Sequence, residues 1–313
     1  MEQKKNYVYV VGHKNPDTDS ICSAICYAEL KNRITEEAYE ARRAGNVNEE
    51  TQYVLEYFGV KAPELLESAE NKQVILVDHN EMTQTVDGIK DGEIVEVIDH
   101  HKIGDVSTAV PIYFRNQPVG CTATIVYQMY QENNQEVTKE IAGLLCSAII
   151  SDTLMFRSPT CTPVDKEIAL KLAEIAGINV EEYAMAMFKA GSNLSDKTPE
   201  EIFYQDFKKF NAGDVNFGVG QISAMSAEEL FEIADRLKPY IVKACEEEGL
   251  DMIFFMLTDI LEESTNLICA GAKAGEFVEK AYGVSCEAGD YYKLAGVVSR
   301  KKQLIPTFME ALQ

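Results

Sequence analysis

Short β-branched runs alternate with helix-period stretches along the first half of this chain. YVYVV (Tyr7 to Val11), VILV (Val74 to Val77) and IVEVI (Ile94 to Ile98) read as strands. Between and after them lie amphipathic segments with start signals. One starts near Asp17 or Asp19, where carboxylates are favourable caps, and runs toward Asn32. The next starts near Asn48 and is expected to turn Tyr53, Val54, Tyr57 and Phe58 inward. Another runs from Thr138 through EIAGLLCSAII to Ser151-Asp152, and two more cover Asp165 to Ala176 and Val180 to Lys189. The alternation predicts an α/β fold whose N-terminal domain is a mostly parallel sheet flanked by helices. From Ala190 to Thr198, AGSNLSDKT loses apolar periodicity and gathers Gly, Ser, Asn and Asp, the composition of a flexible linker. The expected division is therefore domain 1–190, linker 191–197 and a smaller α/β domain 198–313. Its expected elements are the strand VNFGVGQI, a helix from Ala227 to Glu248, strands MIFFML and TNLICA, a helix near Ala274 to Tyr282 and a strand GVVS.

A length of 313 residues suits about two such domains. The 51 acidic against 29 basic residues leave a net charge of -22, a field that repels polyanions and argues against nucleic-acid binding. Any anionic substrate must then be small, or be met by metal. The eight cysteines contain no C-x-x-C pair; Cys22 and Cys26, one helical turn apart beside Ile21 and Ile25, read as buried reduced thiols rather than a metal or redox pair. MEQKKNYVYV has no long apolar run and does not read as a signal peptide, and runs such as Ile253 to Leu257 are too short to span a bilayer. The expectation is a cytoplasmic protein with no membrane partner.

Three of the apolar runs lead directly into metal-capable side chains, at the strand ends where open α/β sheets place their ligands. YVYVV leads to Gly12-His13-Lys14-Asn15-Pro16-Asp17-Thr18-Asp19, VILV to Asp78-His79-Asn80, and IVEVI to Asp99-His100-His101. The helix LLCSAII leads to Ser151-Asp152-Thr153. Each motif alone is ordinary, since a lone strand-end aspartate is more often a cap. Jointly they are not ordinary, because all four histidines of the chain fall in these motifs. Two histidines with four carboxylates fit a pair of octahedral divalent ions, and mixed nitrogen and oxygen donors favour Mn²⁺ or Co²⁺ over Mg²⁺. The absence of cysteine from the motifs contradicts a thiolate zinc site. Two divalent ions would offset Asp17, Asp19, Asp78 and Asp152, so a polyphosphate would need further positive charge. Ser299-Arg300-Lys301-Lys302-Gln303 offers it, and less clearly Lys208-Lys209. Such a triplet is often only a solvated patch, as Arg42-Arg43 is read here.

GHKNPDTDS, VDHN, VIDHH, VGCTATI (Val119 to Ile125), SAIISDT and VVSRKKQ together resemble the manganese-dependent family II inorganic pyrophosphatases of the DHH phosphoesterase superfamily. The resemblance spans essentially the whole chain and lacks the GGGH segment of the nuclease-like members. It implies a DHH domain followed by a DHHA2-type domain, an active site between them closed by motion at the linker, and hydrolysis of pyrophosphate to two phosphates by a hydroxide bridging two metals. It implies further that His13 and Asp17 hold one Mn²⁺ or Co²⁺, that Asp19 and His100 hold the other, and that Asp78 and Asp152 bridge both. His101, Lys208, Arg300 and Lys301 would act on the substrate phosphates, with Lys209 an alternative to Lys208 and additional Mg²⁺ arriving with the substrate. Asp99, His79 and Asn80 would support the site. A homodimer is implied as well. Only Glu67 to Gln73 stand where some members carry nucleotide-binding CBS domains, so the short form without adenine-nucleotide regulation is expected. A short-chain exopolyphosphatase or nucleotide phosphodiesterase of the same superfamily is the alternative within this chemistry.

Overall fold

The computed structural model describes residues 7–191, 194, 197–213, 215–224 and 227–312. The chain divides into two compact units, residues 1–191 and 192–313. Among the described residues no helix is long and apolar enough to cross a membrane.

The first unit carries strands β1 (Tyr7–Val11), β2 (Ala38–Arg43), β3 (Glu64–Leu65), β4 (Gln73–Val77), β5 (Glu93–Asp99) and β6 (Tyr113–Asn116). They form one sheet in the order β3-β2-β1-β4-β5-β6, with every pairing parallel. The order reverses direction between β1 and β4, the switch point at which such sheets open a crevice for ligands. Its helices are α1 (Thr18–Ile34), α2 (Glu49–Tyr57), α3 (Thr122–Glu132), α4 (Lys139–Asp152), α5 (Pro163–Ala176) and α6 (Val180–Gly191). Side-chain caps start α1, α2 and α4: Asp17, Asn48 and Thr138 each accept a backbone N–H of the first turn, which stabilises a helix by about 1 kcal/mol. The interior strands are apolar on both faces because helices and loops cover both; Val10, Val11, Leu76, Val97 and Ile98 are fully buried. In α2 the buried residues are Thr51, Val54 and Leu55, with Phe58 just beyond; Tyr57, expected inward, is 53% exposed because it lies at the edge of that face, its ring against Tyr53, Phe58 and Tyr183.

The second unit is a mixed sheet in the order β11-β10-β9-β8-β7, formed by β7 (Phe207–Ala212), β8 (Val215–Ala224), β9 (Met252–Asp259), β10 (Ser264–Ala270) and β11 (Tyr292–Ala295). Helices α7 (Pro199–Gln205), α8 (Ala227–Glu247), α9 (Ala274–Tyr282) and α10 (Ile305–Ala311) complete it. β9 is buried along its whole length. Ile253, Phe255 and Leu257 pack with Leu230, Ile233 and Leu237, while Phe254 and Met256 pack with Phe277 and Phe308, so alternate residues serve two cores. Of the expected linker, Gly191 ends α6 and Leu194 is buried in the second unit's core, whereas 192, 193, 195 and 196 lie outside the described residues.

GVVS is not a strand. The last ladder residue is Ala295, and Gly296 at φ +73° turns the chain out of the sheet. Val297 and Val298 are nonetheless buried, and the Thr265 hydroxyl donates to the Val297 carbonyl at 2.6 Å. Their β-branched character reflects packing, not pairing. The basic segment then forms a π-helical turn, Arg300–Leu304, closed by the Leu304 N–H on the Ser299 carbonyl at 3.1 Å.

Candidate active site

β1 ends in Gly12, where a Cβ would lie 1.8 Å from Ser20 Oγ; glycine alone lets this loop lie against the first turn of α1. Ser20 Oγ accepts the His13 N–H at 3.1 Å and Asp17 caps the helix, so His13, Asp17 and Asp19 converge on one helix start. Asp78 follows β4 at φ +63°, a left-handed conformation uncommon for a residue with a side chain and one that clusters at functional sites. Its two carboxylate oxygens face different imidazoles: Oδ2 lies 3.3 Å from His13 Nε2 and Oδ1 lies 3.5 Å from His100 Nε2. His13 Nε2 is also 3.5 Å from Asp17 Oδ2, and His100 Nε2 is 3.6 Å from Asp152 Oδ2, on the last residue of α4. The His100 Nδ1–H donates to the Val119 carbonyl at 3.0 Å, which leaves Nε2 as the nitrogen that could ligate a cation.

Asp19 is completely buried. It accepts the Thr122 N–H at 2.7 Å and the Ala123 N–H at 3.0 Å, both from the first turn of α3, as well as the Ser23 hydroxyl at 2.7 Å. Asp99 accepts the backbone N–H groups of His100 and His101 and the His101 Nδ1–H, the last at 2.9 Å, which leaves His101 its Nε2. Asn80 donates to Asp99 and to the Lys102 carbonyl and accepts the Gly104 N–H, tying the loop after β4 to the loop after β5. His79 is buried edge-on against His13, its Nδ1–H donating to the Val77 carbonyl at 2.9 Å. Burial pushes its pKa down to about 4, so the ring is neutral.

Among the described residues three overlapping groups could hold a cation, the donor atoms of each within 4.8 Å of one another: His13, Asp17 and Asp78; Asp19, Asp78, His100 and Asp152; and Asp78, His100 and His101. Asp78 belongs to all three. In the second unit, β7 places Lys208 and Lys209 on opposite faces. Lys209 is paired with Glu248, and Lys208 stands opposite Val219 in the β7/β8 register. Val219 also receives Arg300, whose Nη1–H donates to its carbonyl at 3.2 Å, so Arg300 is anchored to the strand residue that pairs with Lys208 in the ladder. Arg300 is paired with Asp206 besides, at 2.7 Å.

Residues 7–149 match the DHH family N-terminal domain and residues 185–311 the DHHA2 domain. The probable manganese-dependent inorganic pyrophosphatase of Clostridium acetobutylicum is 47% identical over 99% of this chain and 99% of its own length. The manganese-dependent inorganic pyrophosphatase of Bacillus subtilis is 48% identical over 97% of this chain and 98% of its own. This chain belongs to the manganese-dependent inorganic pyrophosphatase family. The crystal structure of a putative family II inorganic pyrophosphatase from Methanococcus jannaschii, 42% identical, superposes with a TM-score of 0.81 over 97% of this chain and 99% of that one. β3 passes to β4 through residues 66–72 alone, the place where no inserted pair of domains is expected.

The donor set fits the manganese that gives the family its name. It mixes imidazole nitrogen with carboxylate oxygen and contains no thiolate. It is also electrostatically unfinished without a cation. Burial, then the neighbouring Asp78, raise the Asp19 carboxyl to about 7, and burial followed by Asp19 and Asp17 raises Asp152 well above the usual range. Burial opposes the charge on His100, yet Asp78 and Asp19 raise it to about 9; His13 is likewise raised, by Asp17 and Asp78 against its burial. Burial would raise Asp78 too, but His100 and His13 hold it well below the usual range. Protons occupy, in part, the places cations would take.

A pH dependence follows from these shifts. With His100 protonated up to about pH 9 and Asp19 up to about 7, metal binding must displace protons, so manganese affinity rises with pH. The expected slope is about tenfold per pH unit for each proton displaced. Mn²⁺ titrations of metal-free protein at pH 6, 7 and 8 measure it, and a flat profile would contradict the assignment of His100 as a ligand.

Two supporting residues, Glu50 and Asp165, lie outside the motifs, and a third, Thr122, lies within VGCTATI with no role read for it. Glu50, in the first turn of α2, accepts the hydroxyls of Thr18 on α1 and Ser151 on α4, joining the helix ends that carry Asp19 and Asp152. Thr122 supplies its N–H to Asp19 and its hydroxyl to Asp78 Oδ1 at 3.2 Å. Asp165, fully buried, accepts Gly120 N–H, the Thr124 hydroxyl, and both the N–H and hydroxyl of Thr162, locking the loop whose Val119 carbonyl orients His100. For Asp165 the local signal available was a Thr162-x-x-Asp165 capping box.

Proposed function

We propose that this chain hydrolyses inorganic pyrophosphate to two phosphates at the DHH carboxylate–imidazole cluster. The observation that carries the reading is Asp78, each of whose oxygens faces a different histidine in a chain of this family. In this reading two Mn²⁺ or Co²⁺ ions bind per subunit, one through His13 and Asp17 and one through Asp19 and His100, with Asp78 and Asp152 shared. Bound there, such ions lower the pKa of water and neutralise phosphate charge. The chain's own residues do the rest. Asp19, pinned by the α3 N–H groups, and His100, pinned by Val119, fix donor positions before substrate arrives. Asp99 orients His101, which offers Nε2 to a phosphate oxygen. Lys208, Arg300 and Lys301 grip the substrate, which carries additional Mg²⁺, and stabilise the charge that develops as the bridging P–O bond breaks. Lys209, engaged by Glu248, is the poorer candidate.

Finer points belong to the same proposal. The reading extends to a cytoplasmic protein and to a homodimer, the latter supported by an exposed edge strand, β6, bearing Tyr113 and Phe114 at 48% and 38% exposure. The decisive experiment strips metal with a chelator, restores Mn²⁺, Co²⁺, Mg²⁺ or Zn²⁺ singly, and measures phosphate release from pyrophosphate, tripolyphosphate and a dinucleotide. Mn²⁺ and Co²⁺ are expected to restore most activity, with pyrophosphate the preferred substrate. Turnover of the other two without pyrophosphate would overturn the reading.

A further inference from the structure

Arg300 is not a loose surface cation. Its side chain is 11% exposed, and its guanidinium donates three hydrogen bonds inside the second unit. Nη2–H reaches Asp206 Oδ1 at 2.7 Å, while Nη1–H reaches the Asp206 carbonyl at 2.9 Å and the Val219 carbonyl at 3.2 Å. Guanidinium has five N–H donors in a planar fork. Pairing Nη1 and Nη2 with two oxygens of one residue uses the end-on edge, and Val219 takes the other Nη1 hydrogen. Among the described residues no partner takes Nε–H or the second Nη2–H, the two donors of the side-on edge. Two parallel donors on one edge match two oxygens of one phosphate.

Both ends of this arrangement are fixed. The Asp206 carbonyl also accepts the Gln221 N–H at 3.1 Å, anchoring the α7–β7 junction to β8. On the other side, Gln303 Oε1 accepts the N–H groups of Val298 and Ser299, both at 2.9 Å, and its Nε2–H donates to the Gly296 carbonyl at 2.6 Å, holding the chain just before Arg300. We propose that Asp206 is a positioning residue for pyrophosphate hydrolysis, presetting Arg300 so that its Nε/Nη2 edge grips one phosphate bidentately. The proposal rests on the reading that Arg300 contacts substrate. Its physical logic is pre-organisation: a free arginine would surrender its rotamer freedom on gripping a phosphate, and Arg300 has already surrendered it. The carboxylate has an opposing effect, since its charge also repels an anionic substrate. The two effects have opposite signs, so experiment separates them.

Steady-state kinetics on the manganese-loaded protein with pyrophosphate supply the test, alongside Mn²⁺ content and thermal melting. Asp206→Ala is expected to raise KM about tenfold with metal content unchanged, and Asp206→Asn, which keeps an acceptor at Oδ1, to raise it only about threefold. In an Arg300→Ala background, Asp206→Ala should add nothing, an outcome that a general structural role would not produce. A lowered KM in Asp206→Ala would make the carboxylate a mere repulsive counter-ion and overturn the proposal; so would an unchanged KM, or additive losses in the double variant. If Arg300→Ala itself left pyrophosphate turnover intact, the reading of Arg300 as a substrate contact would fall first and take the Asp206 assignment with it.

Discussion

Asp78→Asn is expected to cost at least a hundredfold in manganese affinity, roughly 3 kcal/mol. The substitution is nearly isosteric, so the effect isolates charge and donor chemistry. In the native site both carboxylate oxygens are committed, Oδ2 toward His13 Nε2 and Oδ1 toward His100 Nε2, with the Thr122 hydroxyl on Oδ1 as well. An amide keeps one acceptor oxygen and replaces the other with an NH₂, which cannot ligate a cation. It also removes one unit of negative charge from the one residue common to all three donor groups. A ligand belonging to a single group, such as Asp17, leaves the other groups whole; the loss at Asp78 touches each. Equilibrium dialysis or electron paramagnetic resonance of bound Mn²⁺ measures the outcome. Unchanged occupancy would end the proposal that Asp78 is shared between ions.

Arg300→Ala is expected to show the opposite pattern: manganese content stays native while kcat/KM for pyrophosphate falls about 10²- to 10³-fold. The separation has a structural basis. The proposed metal donors belong to the first unit, whereas Arg300 and its partners Asp206 and Val219 belong to the second. Removing the guanidinium leaves Asp206 a partly exposed carboxylate that water can solvate, so the fold itself should lose little. On the proposed role, what is lost is a bidentate, charge-assisted contact to a phosphate that gains charge as the P–O–P link breaks. Paired measurements of Mn²⁺ stoichiometry and steady-state turnover settle the matter. A variant that lost metal as well as activity would show that Arg300 acts on the donor cluster, contrary to its proposed role.

Much of the site was legible because its residues are local to strand ends. A β-branched run followed at once by aspartate and histidine announces both the strand and its ligating loop, and this held for β1, β4 and β5. Helix starts were legible for the same reason: Asp17, Asn48 and Thr138 cap helices through their own neighbours. GVVS misled because a buried β-branched pair looks alike whether it pairs in a ladder or merely packs, and only the turn at Gly296 separates the cases. Tyr57 misled because a nine-residue helix is too short for its period to define one face.

The sequence by itself determined the α/β class, the net charge of -22, and the motifs that carry every expected ligand, Asp152 at a helix end and the others after strands, since each rests on composition or on residues a few positions apart. Tertiary structure alone decided which Asp78 oxygen faces which imidazole, that Asp19 is pinned by Thr122 and Ala123 more than a hundred residues away, and that Arg300 is held by Asp206 across 94 positions. Hydrophobic periodicity reports which face of an element is buried. It carries no information on which distant polar group will meet a buried carboxylate, and that pairing is imposed when the backbones pack.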